Sequence, residues 1–202
     1  MRGTTRALAA TGLLLALGSG VLAGQTRVIL GVGGGALQPT KGANSFGGTE
    51  AGQELKAKLG YHFQLMVGVA PGNSLVSFRI DGQYGGLHYG KLISGVTPKD
   101  KIFAVNADLV VHPTKSGSVR PYILAGPTYG HFSYRNGLTG TAGADEVTNG
   151  AGFNAGAGLN IGTGKKLWFF GEARYVYTKE HKYIPITIGV RINTGQPYQP
   201  GK

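Results

Sequence analysis

Tyr183-Ile184-Pro185-Ile186-Thr187-Ile188-Gly189-Val190-Arg191-Ile192 sorts into two sets of residues with a period of two. One set, Ile184, Ile186, Ile188, Val190 and Ile192, is aliphatic and β-branched throughout. The other, Tyr183, Pro185, Thr187, Gly189 and Arg191, is mixed and mostly small or polar. A period of two places the sets on opposite faces of a β-strand. Which face meets water, lipid or a core decides the fold.

The same sorting recurs along the chain. Ser74 to Tyr84 puts Val76, Phe78, Ile80 and Tyr84 against Ser77, Arg79, Asp81 and Gln83. Leu55 to Val69 separates Leu59, Tyr61, Phe63, Leu65 and Val67 from Lys56, Lys58, His62 and Gln64. Phe103, Val105, Ala107, Leu109 and Val111 alternate with Asn106, Asp108 and His112. Gly150 to Ile161 and Leu167 to Tyr177 follow suit, while Arg27 to Leu37 and Val119 to Phe132 alternate less cleanly because of glycine and proline. The sum is eight strands. No apolar stretch of about 18 residues occurs beyond Gly24, and no long segment repeats at helical spacing.

The connections alternate as well. Pro71-Gly72-Asn73, Pro113 to Ser118 and Gly162 to Lys166 are short and rich in turn formers. The connections over 38–53, 85–101 and 133–149 are long and polar, with Thr178 to Lys182 the exception. An even number of strands, short turns at one end and longer loops at the other predict an all-β fold: an eight-stranded antiparallel up-and-down transmembrane β-barrel.

Alternation alone does not separate a lipid-embedded barrel from a soluble one; the make-up of the faces does. A water-facing wall needs dense charge, yet only 14% of the residues are charged and the polar faces are mostly Gly, Asn, Ser and Gln. Eight strands enclose room for side chains only, and about five sizeable apolar groups from each would overfill it. The apolar face therefore points outward, into lipid. Phe103, Tyr129, Phe153, Tyr175 and Tyr177 fall toward the loop ends, where an aromatic girdle meets the membrane interface. The 37 glycines fit a narrow lumen and tight turns.

Residues 1–23 read as a secretory signal peptide: Arg2 and Arg6, an apolar run from Leu8 to Leu17, and Val21-Leu22-Ala23 at the cleavage site. The barrel is expected over 24–192 and a disordered periplasmic tail, with Pro197 and Pro200, over 193–202. Without Cys the chain is no disulfide scaffold, thiol enzyme or lipoprotein. Loss of two arginines with the signal lowers the formal charge from +11 to +9. Export sets nucleic acid aside as a partner. Lys41, Lys91, Lys99, Lys101, Lys179 and Lys182, near the loop end, face lipopolysaccharide phosphates instead.

The inward face carries Lys56, Lys58, Arg79, Arg120, Arg174 and Arg191 against Asp81, Asp108 and Glu172. Confined charges must pair or keep water, since an unpaired buried ion costs several kcal/mol. A packed charge network filling the lumen is the expected result, with a structural or surface-interaction role and a narrow pore as one alternative.

Three segments carry a family resemblance: Arg120-Pro121-Tyr122-Ile123-Leu124-Ala125-Gly126-Pro127, Gly171-Glu172-Ala173-Arg174-Tyr175, and the closing stretch from Tyr183 to Ile192. With the signal peptide, they make the chain similar to the small outer-membrane β-barrel domain proteins, of the type of the outer membrane protein A barrel. The resemblance spans most of the mature chain. It implies location in the bacterial outer membrane and insertion by the barrel assembly machinery, without implying a reaction; a monomer is expected. One departure stands out: family members usually end on an aromatic residue after the last strand, whereas here Ile192 is followed by Asn193 to Lys202.

One constellation suggests an enzyme. His131 and Ser133 lie two apart, with Asp145 and Glu146 farther on. The pattern resembles the lipid A 3-O-deacylases, eight-stranded barrels in which His would activate Ser and an acid would orient His. So short a motif arises readily by chance, so this hydrolase stands as the second reading. The glycines from Gly31 to Gly35 precede no helix that could present amides to a phosphate. His62, His88, His112, His131 and His181 are scattered and predict no metal site, and no cofactor is expected.

Overall fold

The computed structural model describes residues 26–40, 57–71, 74–89, 99–114, 116–135, 146–163, 166–179 and 181–194. The expected signal peptide lies outside them, as does the tail beyond Thr194. Eight strands follow in order: β1 (Arg27–Pro39), β2 (Ala57–Ala70), β3 (Val76–Tyr89), β4 (Lys99–Val111), β5 (Val119–Arg135), β6 (Glu146–Gly162), β7 (Leu167–Thr178) and β8 (Lys182–Thr194). Each pairs antiparallel with the next, and β1 pairs with β8 from Val28↔Thr194 to Pro39↔Tyr183, closing the barrel.

The strands run farther toward the long loops than alternation predicts. The expected loop over 85–101 begins inside β3 and ends inside β4, where Gly85↔Ile102, Gly86↔Lys101 and Leu87↔Asp100 continue the ladder. Likewise Ser133↔Val147 and Tyr134↔Glu146 extend β5 and β6. Gly85 and Gly86 erase the alternation that marks a strand, yet ladder hydrogen bonds are made by the backbone and need no side chain. Gly86 also serves the pairing, because a Cβ there would lie 2.8 Å from the Asp100 carbonyl oxygen. At the other end β8 takes in Asn193 and Thr194, which the expected tail included. The Asn193 amide donates to the Lys166 carbonyl at 3.0 Å, and the Thr194 hydroxyl to that of Val28 at 3.2 Å.

The outer wall is apolar. Leu65 is 68% exposed and Ile188 72%, with Phe63, Phe78, Phe103, Ile123, Phe153 and Ile161 all more than half exposed or at half. Aromatic residues band the loop end: Phe63, Tyr84, Phe103 and His131 share one register row, and Phe153 stacks on Tyr177 with centroids 5.1 Å apart. On β5 the outward apolar positions run from Val119 to Tyr129. At ~3.3 Å per residue and ~40° of tilt, that span covers about 25 Å of membrane depth, the height of a transmembrane band.

The interior is layered rather than polar throughout. Leu37, Leu87, Ile102, Phe132, Val176 and Tyr183 pack into an apolar plug under the long loops. Charged and amide side chains fill the middle, and Val110, Tyr122 and Leu124 form a second apolar cluster below. The plug residues occupy inward positions that a two-state polar/apolar reading does not distinguish by height.

Candidate functional site

Strand parity brings five charges together at mid-lumen. Arg79 and Asp81 are two apart on the inner face of β3, Asp108 faces Arg79 from β4, and Glu172 and Arg174 reach in from β7. Arg79 donates from Nη1 to Glu172 Oε2 at 2.8 Å and from Nη2 to Asp108 Oδ2 at 3.4 Å, and its Nε lies 3.4 Å from Asp81 Oδ2. Arg174 donates from Nη2 to Asp81 Oδ2 at 2.8 Å, from Nη1 to Asp108 Oδ2 at 3.0 Å, and from Nε to Glu172 Oε1. Two guanidiniums thus meet three carboxylates, all buried.

Neutral groups take up the remaining lone pairs. The Tyr122 hydroxyl donates to Glu172 Oε2 at 2.7 Å, Asn106 Nδ2 to Asp81 Oδ1 at 2.8 Å and Asn154 Nδ2 to Asp108 Oδ1 at 2.8 Å. The Thr128 hydroxyl donates to Asn106 Oδ1 at 2.6 Å. Inside a low-dielectric lumen such charge-assisted bonds are stronger than in water, and each satisfied acceptor avoids a desolvation cost of about 1–3 kcal/mol. Sequence reasoning missed Tyr122, Asn106, Asn154 and Thr128 as members. Their inward parity was visible; their height was not.

Four of the residues assigned to the lumen network lie elsewhere or outside view. Lys56 lies outside the described residues. Lys58 is exposed at the loop end of β2, beyond a register shift between Lys58 and Tyr61. A bulge inserts one residue and breaks the face count on which the inward reading depends. Arg120 and Arg191 sit at the periplasmic mouth, over the ring of Trp168 at 4.6 and 5.6 Å. Arg191 is four residues along β8 from Thr187, which pairs with Glu172, so roughly 13 Å of strand separates its backbone from the level of Glu172.

The histidines are dispersed. His62 Nε2 lies 2.7 Å from the Thr187 hydroxyl, which donates to Gln64 at 3.3 Å. The His112 ring lies 5.7 Å from that of Tyr122, and the His181 ring 4.0 Å from that of Phe132 at the edge of the plug. Burial, then the charges of Arg191, Arg120, Arg27 and Arg79, hold the His112 imidazole at about 4. Burial holds His181 at about 4.

His131 of the His-x-Ser pair has Asn149 as its hydrogen-bond partner. His131 is exposed in the girdle row and its Nδ1 lies 2.7 Å from Asn149 Oδ1, across the β5–β6 ladder. No hydrogen bond joins it to Ser133 among the described residues. Asp145 and the Glu146 side chain lie outside the described residues.

A closed eight-stranded barrel with an apolar wall, an aromatic girdle and an internally paired lumen defines a transmembrane barrel of the outer-membrane type. The model of the outer membrane protein beta-barrel domain matches residues 9–196, and the chain belongs to that family; it is a protein of the bacterial outer membrane. No curated protein matches it. Among solved structures it is similar to the outer membrane protein OprG from Pseudomonas aeruginosa, with 12% identity and a TM-score of 0.63 over 86% of this chain and 97% of that one. Neisserial surface protein A shares 15% identity, with a TM-score of 0.55 over 83% and 96%. Ail, the attachment invasion locus protein of Yersinia pestis, solved with the heparin analogue sucrose octasulfate, shares 15% identity with a TM-score of 0.54 over 86% and 100%. At these identities the likeness is one of fold.

Proposed function

We propose that the chain is a non-conducting outer-membrane barrel with a structural and surface-interaction role. The observation that carries this reading is the mid-lumen cluster: both arginines and all three carboxylates are paired with one another, under an apolar plug. A permeant ion would have to displace those bonds, and eight strands leave no wide channel beside them.

The loop-side rim supplies the interaction surface. Lys58, Lys101 and Lys179 are exposed, and Lys182 sets its Nζ 5.1 Å from the centre of the Tyr177 ring. Cations just above an aromatic girdle are suited to the phosphates of lipopolysaccharide. Insertion as a monomer by the barrel assembly machinery completes the reading.

The test is planar-bilayer recording on the refolded protein. The expected trace is silent. A steady conductance whose ion selectivity changes in Arg174→Gln overturns the proposal.

A further inference from the structure

The mid-lumen network leaves two arginines without a carboxylate. Asp81, Asp108 and Glu172 are engaged by Arg79 and Arg174, and neither Arg120 nor Arg191 meets an acid among the described residues. Arg120 spends its Nε on the Gly117 carbonyl at 3.1 Å. Arg191 is 9% exposed, and its buried Nε has no hydrogen-bond partner. Both guanidiniums lie over the same indole, at 4.6 and 5.6 Å from its centre, so they stand no more than about 10 Å apart.

The surroundings are built to hold them there. Trp168 pairs with Arg191 across β7 and β8 and with Gly162 across β6 and β7. The indole lies against Gly162, where a Cβ would come within 2.7 Å of the ring. Arg27 opens β1 at the same mouth, and its charge, with those of Arg120 and Arg191, acts on His112. His112 has a buried Nδ1 without a hydrogen bond.

Stacking on an indole stabilises a guanidinium through its face and leaves the in-plane N–H donors unspent. Those donors form a fork that matches phosphate oxygens, and two such groups held close together repel unless an anion joins them. We propose that the periplasmic mouth of the barrel binds a phosphate-type oxyanion, held by Arg120 and Arg191 beside Trp168. The anion is either free phosphate or the headgroup phosphate of a phospholipid in the periplasmic leaflet; the chemistry of recognition is the same.

Trp168 is the only tryptophan of the chain and therefore reports on this mouth alone. The folded barrel in non-ionic detergent is titrated at constant ionic strength with inorganic phosphate in one arm and dihexanoylphosphatidylglycerol in the other, with chloride as the balancing anion. The expected result is a saturable change in Trp168 emission in at least one arm. Half-saturation should move tenfold or more upward in Arg120→Gln and in Arg191→Gln. Saturation by inorganic phosphate assigns the soluble anion; saturation by the lipid alone assigns the headgroup. Arg120 is partly exposed, so Arg120→Gln decides the matter should Arg191→Gln fail to fold. No saturable change in either arm overturns the proposal, as does one that the Arg120→Gln protein reproduces unaltered.

Discussion

Arg174 touches Asp81, Asp108 and Glu172 at once, each within 3.0 Å, closer than Arg79, which reaches the same three carboxylates at up to 3.4 Å. Removing it leaves three carboxylates against the single guanidinium of Arg79. Breaking a buried ion pair from one side costs about 3–5 kcal/mol, and Arg174→Ala should lower the unfolding free energy by that order in urea titrations followed by tryptophan emission. A change under 1 kcal/mol would mean that water replaces the guanidinium freely. Gly158 is a second sensitive position, because a Cβ there would press on the ring and hydroxyl of Tyr122, the donor to Glu172. Overpacking of this kind costs about 1–3 kcal/mol, so Gly158→Ala should destabilise while Gly171→Ala, whose Cβ would meet nothing within 4 Å, should not. The same urea midpoints check both. Parity in the sequence is enough to turn Arg79, Asp81, Asp108, Glu172 and Arg174 toward one another. It carries no information on height, which is why Arg120 and Arg191 could not be told apart from them, and it fails at Lys58, where a bulge resets the count.

The β7–β8 connection acts as a cap. His181 lies between those strands with its ring on Phe132, and its amide N–H donates to the Thr178 hydroxyl oxygen at 2.9 Å. Its imidazole stays neutral down to about pH 4 in the folded protein, against 6.5 for the ordinary group. Between those values the unfolded chain binds the extra proton and the folded one does not, so stability falls as pH falls through that window. His112 acts in the same direction over the same range. Thermal unfolding midpoints should therefore decline from pH 6.5 to pH 4, and His181→Gln should flatten the decline; an unchanged slope in that variant would remove the cap from the account. At this scale the strands announced themselves through period-two sorting, since one face is lipid and the other is not. Their loop-side ends did not, because Gly85-Gly86 carries no side chains to sort and the ladder above them is held by backbone alone. The apolar plug was equally hidden: Ile102 and Phe132 sit on inner faces whose neighbours Asn106 and Thr128 are polar.

The molecule as a whole is a wall with a filled centre, and its composition follows from that. Few charges are needed where lipid replaces water, and those at mid-lumen are paired with one another. A closed barrel of this type resists detergent at room temperature, so unheated samples should migrate differently from boiled ones on denaturing gels, and identical migration would contradict a folded barrel in the preparation. Among the described residues the charges fall into three places that composition cannot separate: a paired middle, a basic outer rim and an arginine-lined periplasmic mouth.

The seam between β1 and β8 joins residues near opposite ends of the chain, over twelve paired positions from Val28 to Pro39. A seven-stranded remnant would carry two raw borders, one along β1 and one along β7, each a row of amides and carbonyls facing hydrocarbon at several kcal/mol apiece. No partial product of translation can rest in the bilayer on those terms. Completion is all-or-none in time as well as in space: the wall becomes habitable only when its last-made strand has found its first.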